Sequence, residues 1–329
     1  MKWIVVWVGV LALHGAVADP AHVDFELGLI FPQQLGGMDC ERVEKYNNED
    51  LGYSLFYARG TAFQAEVSVL TMGRSEVANG YRADGVEMII QGVEIFMTRA
   101  QEAGTIEKFK KRGSSVFPRK SPLQFDNQVF QYSEVREHNG VRNLVPYINS
   151  VYVSGAHNHF IKVQFRFEMV QGRDAQAMAD RLIKQLVRLL IAQPSADDLI
   201  LAACDAAVYN PADYSGKSAA QRVFDKSQTY GELNIYDAFF VWPQNYSKPK
   251  NADLLMAAYF AGMLKVVLPE NLTHGGEFEA FASMVQAYEN MRSRDQIAEI
   301  AEFEVWVKHP DKKRLYQKLL VDFGYVAEP

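Results

Sequence analysis

Two histidines separated by one residue are the first side chains in this sequence whose type and spacing could do chemistry. His157 and His159 lie at the tip of a predicted hairpin. Residues i and i+2 of a strand project to the same face, so both imidazoles could bind Zn²⁺ or Cu²⁺ together. Such a site needs a third ligand, for which His138 in the neighbouring turn is the candidate. The competing interpretation is that both histidines are solvated turn residues.

A basic segment at residues 108–122 is a candidate contact site for an anionic surface or an acidic partner. Gly113, Pro118 and Pro122 predict a loop, and Phe109 and Phe117 are interleaved with its charges. Its candidate contact residues are Lys108, Lys110, Lys111 and Arg112. The alternative is a solvated, mobile loop without a partner.

Two further groups are candidate ligand contacts. Lys162 and Arg166 lie on the polar face of a predicted strand, where they could meet an anionic ligand or serve solubility alone. An aromatic cluster between two prolines could line an apolar groove, or it could be core packing beneath a long loop. The members of that cluster are Tyr236, Phe239, Phe240, Trp242 and Tyr246.

The sequence contains no recognisable catalytic motif, so we predict no catalytic residue and no cofactor. Gly216-Lys217-Ser218 resembles the end of a phosphate-binding loop, but Pro211 stands where that loop needs its first glycine. Ser247-Lys248-Pro249-Lys250 has the spacing of a serine–lysine pair, but that pair requires a helix and Pro249 favours an extended loop. The sequence therefore favours a protein that is not an enzyme.

Export is predicted by the segment at residues 1–18. Lys2 precedes an uncharged apolar run from Trp3 to Leu13, and Ala16 and Ala18 form an A-x-A cleavage site. This is the pattern of a signal peptide, and the run is too short to span a bilayer. We predict a periplasmic or secreted protein without a transmembrane segment after cleavage. In such a compartment Cys40 and Cys204 form either a disulfide between the two halves or two buried free thiols.

Periodicity predicts two domains of different class. Two-residue alternation predicts strands at residues 63–69 and 160–168, and an aromatic-rich run predicts one at 51–57. Strand-like runs predict two more at 128–137 and 141–153, and helical spacing predicts helices at 84–101 and 174–191. The order β-β-α-β-β-β-α gives an α+β domain at residues 19–193, with an antiparallel sheet and helices on one face. Residues 194–329 are rich in helix formers and predict an all-α domain, with a central buried helix at 253–268.

The sheet region resembles a known family. The segments SLFYARGTAFQAEVSVLTMG and YINSVYVSGAHNHFIKVQFRF, placed in that element order, are similar to PsbP-like domains and to uncharacterised secreted bacterial proteins. The resemblance covers about residues 40–190. It implies an accessory or binding role rather than catalysis, and it assigns no functional residue.

The resulting hypothesis is a secreted, non-enzymatic binding or assembly module for an unknown protein or small ligand. A formal net charge of -6 argues against a nucleic acid as that partner. Two alternatives remain. One is a hydrolase with its site in a cleft between the domains, and the other is a metal-handling protein that uses His157 and His159.

Overall fold

The computed structural model describes residues 20–48, 51–138, 141–230, 233, 235–240 and 250–326. Its strands are β1 (Pro20–Asp24), β2 (Leu29–Pro32), β3 (Gln34–Leu35), β4 (Met38–Lys45), β5 (Tyr53–Arg59), β6 (Phe63–Leu70), β7 (Ile106–Phe117), β8 (Phe125–His138), β9 (Val141–Ala156) and β10 (His159–Glu168). Its α-helices are α1 (Val86–Glu102), α2 (Gly172–Ile191), α3 (Ala196–Tyr209), α4 (Tyr214–Ser227), α5 (Ala252–Glu270), α6 (Glu277–Arg292), α7 (Ala301–Lys308) and α8 (Lys312–Asp322). The predicted fold class is confirmed, with a sheet-rich N-terminal half and a helical C-terminal half.

One large antiparallel sheet forms the first half. Within the described ranges it has the strand order β3-β4-β5-β6-β10-β9-β8-β7, and β1 pairs with β2 in a separate hairpin. The strands predicted at residues 51–57 and 63–69 are confirmed as β5 and β6, which form a hairpin with Arg59 opposite Phe63. The centre of the sheet joins strands that are distant in sequence, because β10 pairs with β6 from Phe160–Leu70 to Phe167–Phe63.

The large sheet is covered by helices on both faces, which differs from the expected one-sided arrangement. On one face Ile161, Val163 and Phe165 of β10 join the core that α2 covers. On the other face Phe160 packs with the inner side of α1. Strand β9 divides in the same way, since Tyr152 belongs to the first core and its neighbours Val151 and Val153 to the second. Both faces of β9 and the Phe160 end of β10 therefore carry apolar side chains, which helices on the two sides of the sheet cover.

Residues 108–117 of the basic segment belong to strand β7 (Ile106–Phe117) rather than to the predicted loop, and residues 118–122 form a turn after it. Strand β7 forms one edge of the large sheet and pairs with β8 through two irregularities, between Glu107 and Lys110 and between Lys111 and Gly113. Lys108 adopts a left-handed φ of 57° at the first of them. Bulges and lysines are common on edge strands because they hinder pairing with another chain. The same residues that suggested a loop are therefore suited to a sheet edge.

The helical half has its own hydrophobic core around α5. Its members include Leu255, Tyr259 and Phe260 of α5, with Phe281 and Trp306 from later helices. Among the described residues, α5 is the one helix long and apolar enough to cross a membrane, but 72% of its most apolar window is buried inside the protein. That burial agrees with the predicted central buried helix.

The β1–β2 hairpin lies at the junction of the two halves and was not predicted. Leu29 and Phe31 of β2 belong to the sheet core, whereas Phe25 in the turn packs against the helical core. The side chain of His22 in β1 reaches Ser215 in α4. The hairpin thus fixes where the helical half meets the sheet.

The two cysteines are free thiols, so the predicted disulfide is not formed. Both are buried, Cys40 in the sheet core and Cys204 in the helical core. Each side chain packs among the apolar residues of its own half, and so the two sulfurs have no shared contact. The second interpretation of this pair, two buried thiols, is the one that the structure supports.

Both thiols are expected to be unreactive in the folded protein. Burial raises the pKa of Cys40 to about 12 and raises that of Cys204 further, and the thiolate is the reactive form. Titration with an aromatic disulfide reagent without reductant should give no signal before unfolding and both thiols after it. If guanidinium exposed no titratable thiol until reductant was added, the free-thiol assignment would be wrong.

Candidate functional site

The histidine pair does not share a strand face. Ala156 pairs with His159, so His157 and Asn158 form a two-residue turn, with φ values of 51° and 61°. His157 Nε2 contacts the carbonyl of Leu190 at 2.6 Å, and His159 Nδ1 contacts the carbonyl of His157 at 2.8 Å. The described residues contain no group of three potential ligands from histidine, cysteine, aspartate and glutamate. The side chain of His138 lies outside the described part of the chain.

The basic groups of β10 are neutralised by carboxylates. Lys162 Nζ lies 3.2 Å from Glu66 Oε1, and Arg166 Nη2 lies 2.9 Å from both carboxylate oxygens of Glu134. Burial alone would raise the pKa of Glu66, but Lys162 and the hydroxyls of Ser68 and Ser54 outweigh it and hold the pKa below its ordinary value. The polar sheet face is therefore an internally paired network rather than a free cationic surface.

The remaining sequence candidates are separated in the fold. Lys108 and Lys110 are exposed on β7, whereas Lys111 Nζ reaches Glu94 of α1 at 3.2 Å. Arg112 donates to the side chain of Gln131. Tyr236 is half-buried, with its ring centroid 4.6 Å from that of Tyr325 and 5.9 Å from that of Phe239, which agrees with core packing. Trp242 and Tyr246 lie outside the described residues.

A polar cleft at the junction of the two halves is the candidate site. It has a volume of about 300 Å³, within the lower range of ligand-binding clefts. Its walls come from the β1–β2 hairpin, the large sheet and α4. The residues that line it include His22, Asp24, Phe25 and Glu26 from the hairpin, Lys45, Tyr53 and His159 from the sheet, and Tyr214, Ser218 and Arg222 from α4.

The inner end of this junction cleft is aromatic and holds His22 in its neutral form. His22 is 2% exposed, and its ring centroid lies 4.6 Å from that of Tyr53 and 5.6 Å from that of Tyr214. Its Nδ1 is 3.2 Å from Ser215 Oγ. Burial lowers the pKa of His22 to about 4, and the charge of Asp24 opposes the shift only in part. The imidazole is therefore uncharged at neutral pH.

Asp24 organises the hairpin side of the cleft. The backbone amides of Glu26 and Leu27 donate to Asp24 Oδ1 at 2.9 Å, and the Tyr53 hydroxyl donates to Oδ2 at 2.8 Å. Burial and this carboxylate raise the pKa of Tyr53 well above its ordinary value. Burial also raises the pKa of Tyr214, with further contributions from Asp24 and Glu26 that Lys45 opposes. Both phenols therefore stay protonated near neutral pH.

The Ser215–His22 contact has two members of a catalytic triad but not the access that one requires. Ser215 is 4% exposed and does not line the cleft. A nucleophile must reach the bond that it attacks, and its base must accept a proton near the working pH. With a pKa near 4, His22 is a weak base, and the pair joins α4 to the hairpin instead.

Sequence reasoning missed this site, although one signal for it was present. His22, Asp24 and Glu26 alternate with apolar residues in the segment AHVDFE at residues 21–26, the spacing of a half-buried strand. The signal is short, and it follows directly on the predicted signal peptide. The partners Tyr53 and Tyr214 are distant in sequence, so no local pattern connects them with it.

Comparisons with known proteins leave the function to be argued from this site. The resemblance to PsbP-like domains accordingly stays a prediction. No protein-family model matches the chain, and no curated protein matches it significantly.

Proposed function

We propose that this chain is a non-enzymatic binding protein whose small polar ligand occupies the junction cleft. The observation that carries the proposal is the composition of the cleft walls, in which charges of both signs surround two protonated phenols. Glu26, Lys45 and Arg222 are exposed around this aromatic floor. A small number of convergent polar groups beside aromatic side chains is typical of sites that fix the orientation of a ligand.

The burial of the serine beside the cleft supports binding over hydrolysis. The hydrolase alternative also expects a cleft between the two halves, and the cleft lies at that junction. The adjacent Ser215, however, is buried in its contact with His22 and does not line the cleft. A ligand held there would touch both halves of the chain and stabilise their association by mass action.

Native mass spectrometry of the protein purified from its own host tests the proposal. We expect a small molecule to remain bound to the wild-type chain. Ser218→Tyr, which fills the cleft from α4, should remove it, because Ser218 lines the cleft. Gln221→Tyr is the matched control, since Gln221 is exposed on the same helix and lies outside the cleft. Retention of the same adduct by Ser218→Tyr would place the ligand elsewhere and refute the proposal.

We also propose that the protein is exported, on the basis of residues 1–18, which lie outside the described residues. The apolar run from Trp3 to Leu13 and the alanines at 16 and 18 support cleavage after Ala18. N-terminal sequencing of the protein recovered from the periplasm or medium should begin at Asp19. Recovery of the uncleaved chain from the cytoplasm would contradict export and would leave the cleft proposal standing.

A further inference from the structure

We infer that the ligand of the junction cleft is a zwitterionic small molecule with an apolar body, of the amino acid or dipeptide class. This inference rests on the proposed binding function and goes further, because it assigns a role to each wall of the cleft. It follows from where hydrogen-bond acceptors and donors are placed around the aromatic floor.

Acceptors come from the hairpin. Glu26 is exposed in the hairpin turn, and Asp24 is fixed beside it by two backbone amides. Both side chains line the cleft. Two carboxylates suit an ammonium group.

The positively charged side chains come from α4 and β4. Arg222 lies on α4 with its guanidinium carbon 5.2 Å from the centroid of the Phe25 ring, and Lys45 lies at the end of β4. A guanidinium held against an aromatic ring presents its planar fork to a carboxylate, which it can bind through two hydrogen bonds. The phenol of Tyr214 lines the same cleft and offers a further hydroxyl donor.

A ligand of one charge sign fits these walls less well. A dianion would bring its second negative charge towards Asp24 and Glu26, and a polyamine would bring positive charge towards Arg222 and Lys45. The rings of Phe25, Tyr53 and Tyr214 offer apolar surface between the charged groups. A volume of about 300 Å³ limits the ligand to a small molecule and excludes a long peptide.

Calorimetric titration of the full mature chain with the common amino acids and simple dipeptides tests the inference. The best binder is then compared with its amide, which lacks the negative charge, and with its deamino acid, which lacks the positive charge. We expect each single-charge analogue to bind at least about tenfold more weakly, as for the loss of one charged hydrogen bond. Leucine, leucinamide and 4-methylpentanoate are one such set.

Two charge variants assign the ends of the ligand. Glu26→Gln should weaken binding of the zwitterion and of the amide about tenfold and leave binding of the deamino acid unchanged. Arg222→Gln should weaken binding of the zwitterion and of the deamino acid about tenfold and leave binding of the amide unchanged. Both residues are exposed, so thermal unfolding should show that each variant folds like the wild type.

The outcomes separate this inference from the proposed function. The inference is overturned if no zwitterion in the set binds, if both single-charge analogues bind as tightly as the zwitterion, or if the two variants weaken all three compounds equally. In each of these cases, an adduct that Ser218→Tyr removes would still support the cleft as a binding site. The proposed binding function is refuted only by the native mass spectrometry result, that is, if Ser218→Tyr retains the same adduct as the wild type.

Discussion

Gly262→Ala is expected to lower the free energy of unfolding by about 3 kcal/mol, through overpacking between two helices. Gly262 lies in α5 where it crosses α6. A Cβ atom at this position would lie 2.2 Å from the backbone oxygen of Glu279 and 2.6 Å from Cα of Ala280. Both are backbone atoms, which cannot rotate away, so the two helices must separate and loosen the helical core. Urea unfolding followed by circular dichroism measures the change.

The matched control is Gly92→Ala in α1. Gly92 is also inside a helix, but a Cβ atom there would meet nothing within 4 Å. Alanine should therefore stabilise this helix by about 0.5–1 kcal/mol, because it restricts the unfolded chain. The two identical substitutions are expected to have opposite signs. If Gly262→Ala were as stable as the wild type, the close α5–α6 crossing would not exist.

His22 is expected to make the protein less stable as the pH falls from about 6.5 to about 4. Above pH 6.5 the imidazole is neutral in both the folded and the unfolded states and contributes no pH dependence. Below pH 6.5 the unfolded chain binds a proton at His22, whereas burial lowers the folded pKa to about 4 and delays binding. The unfolded state then holds more protons, so acid favours it, by about 3 kcal/mol over the whole window.

Chemical unfolding of the wild type and of His22→Gln at several pH values isolates this contribution. Carboxylates titrate in both proteins and cancel in the difference. The wild type should lose stability relative to the variant on acidification, whatever offset the variant has at pH 7.5. His274→Gln, which makes the same substitution at an exposed histidine, is the matched control. A pH-independent difference between wild type and His22→Gln would contradict a buried, neutral His22.

Strands and helices with strong periodicity were predictable from the residues alone. The alternation in β6 and β10, the aromatic-rich run of β5 and the helical spacing of α1 and α2 follow from the local geometry of strands and helices, so a single segment carries enough information. The all-round apolar composition of α5 likewise predicts burial. These patterns determined the α+β class and the helical second half.

The contacts between distant segments are visible only in the folded chain. Strand β7 was not predicted, because its lysines interrupt any apolar alternation. An edge strand pairs on one side alone, so its exposed residues need no apolar pattern. The cysteines have a spacing in sequence that permits a bridge, but each is buried in a separate core. The junction cleft joins Asp24, Tyr53 and Tyr214, which come from a hairpin, a sheet and a helix. Contacts between such distant segments depend on how complete helices and strands pack, and the periodicity of side chains within one segment does not specify that packing.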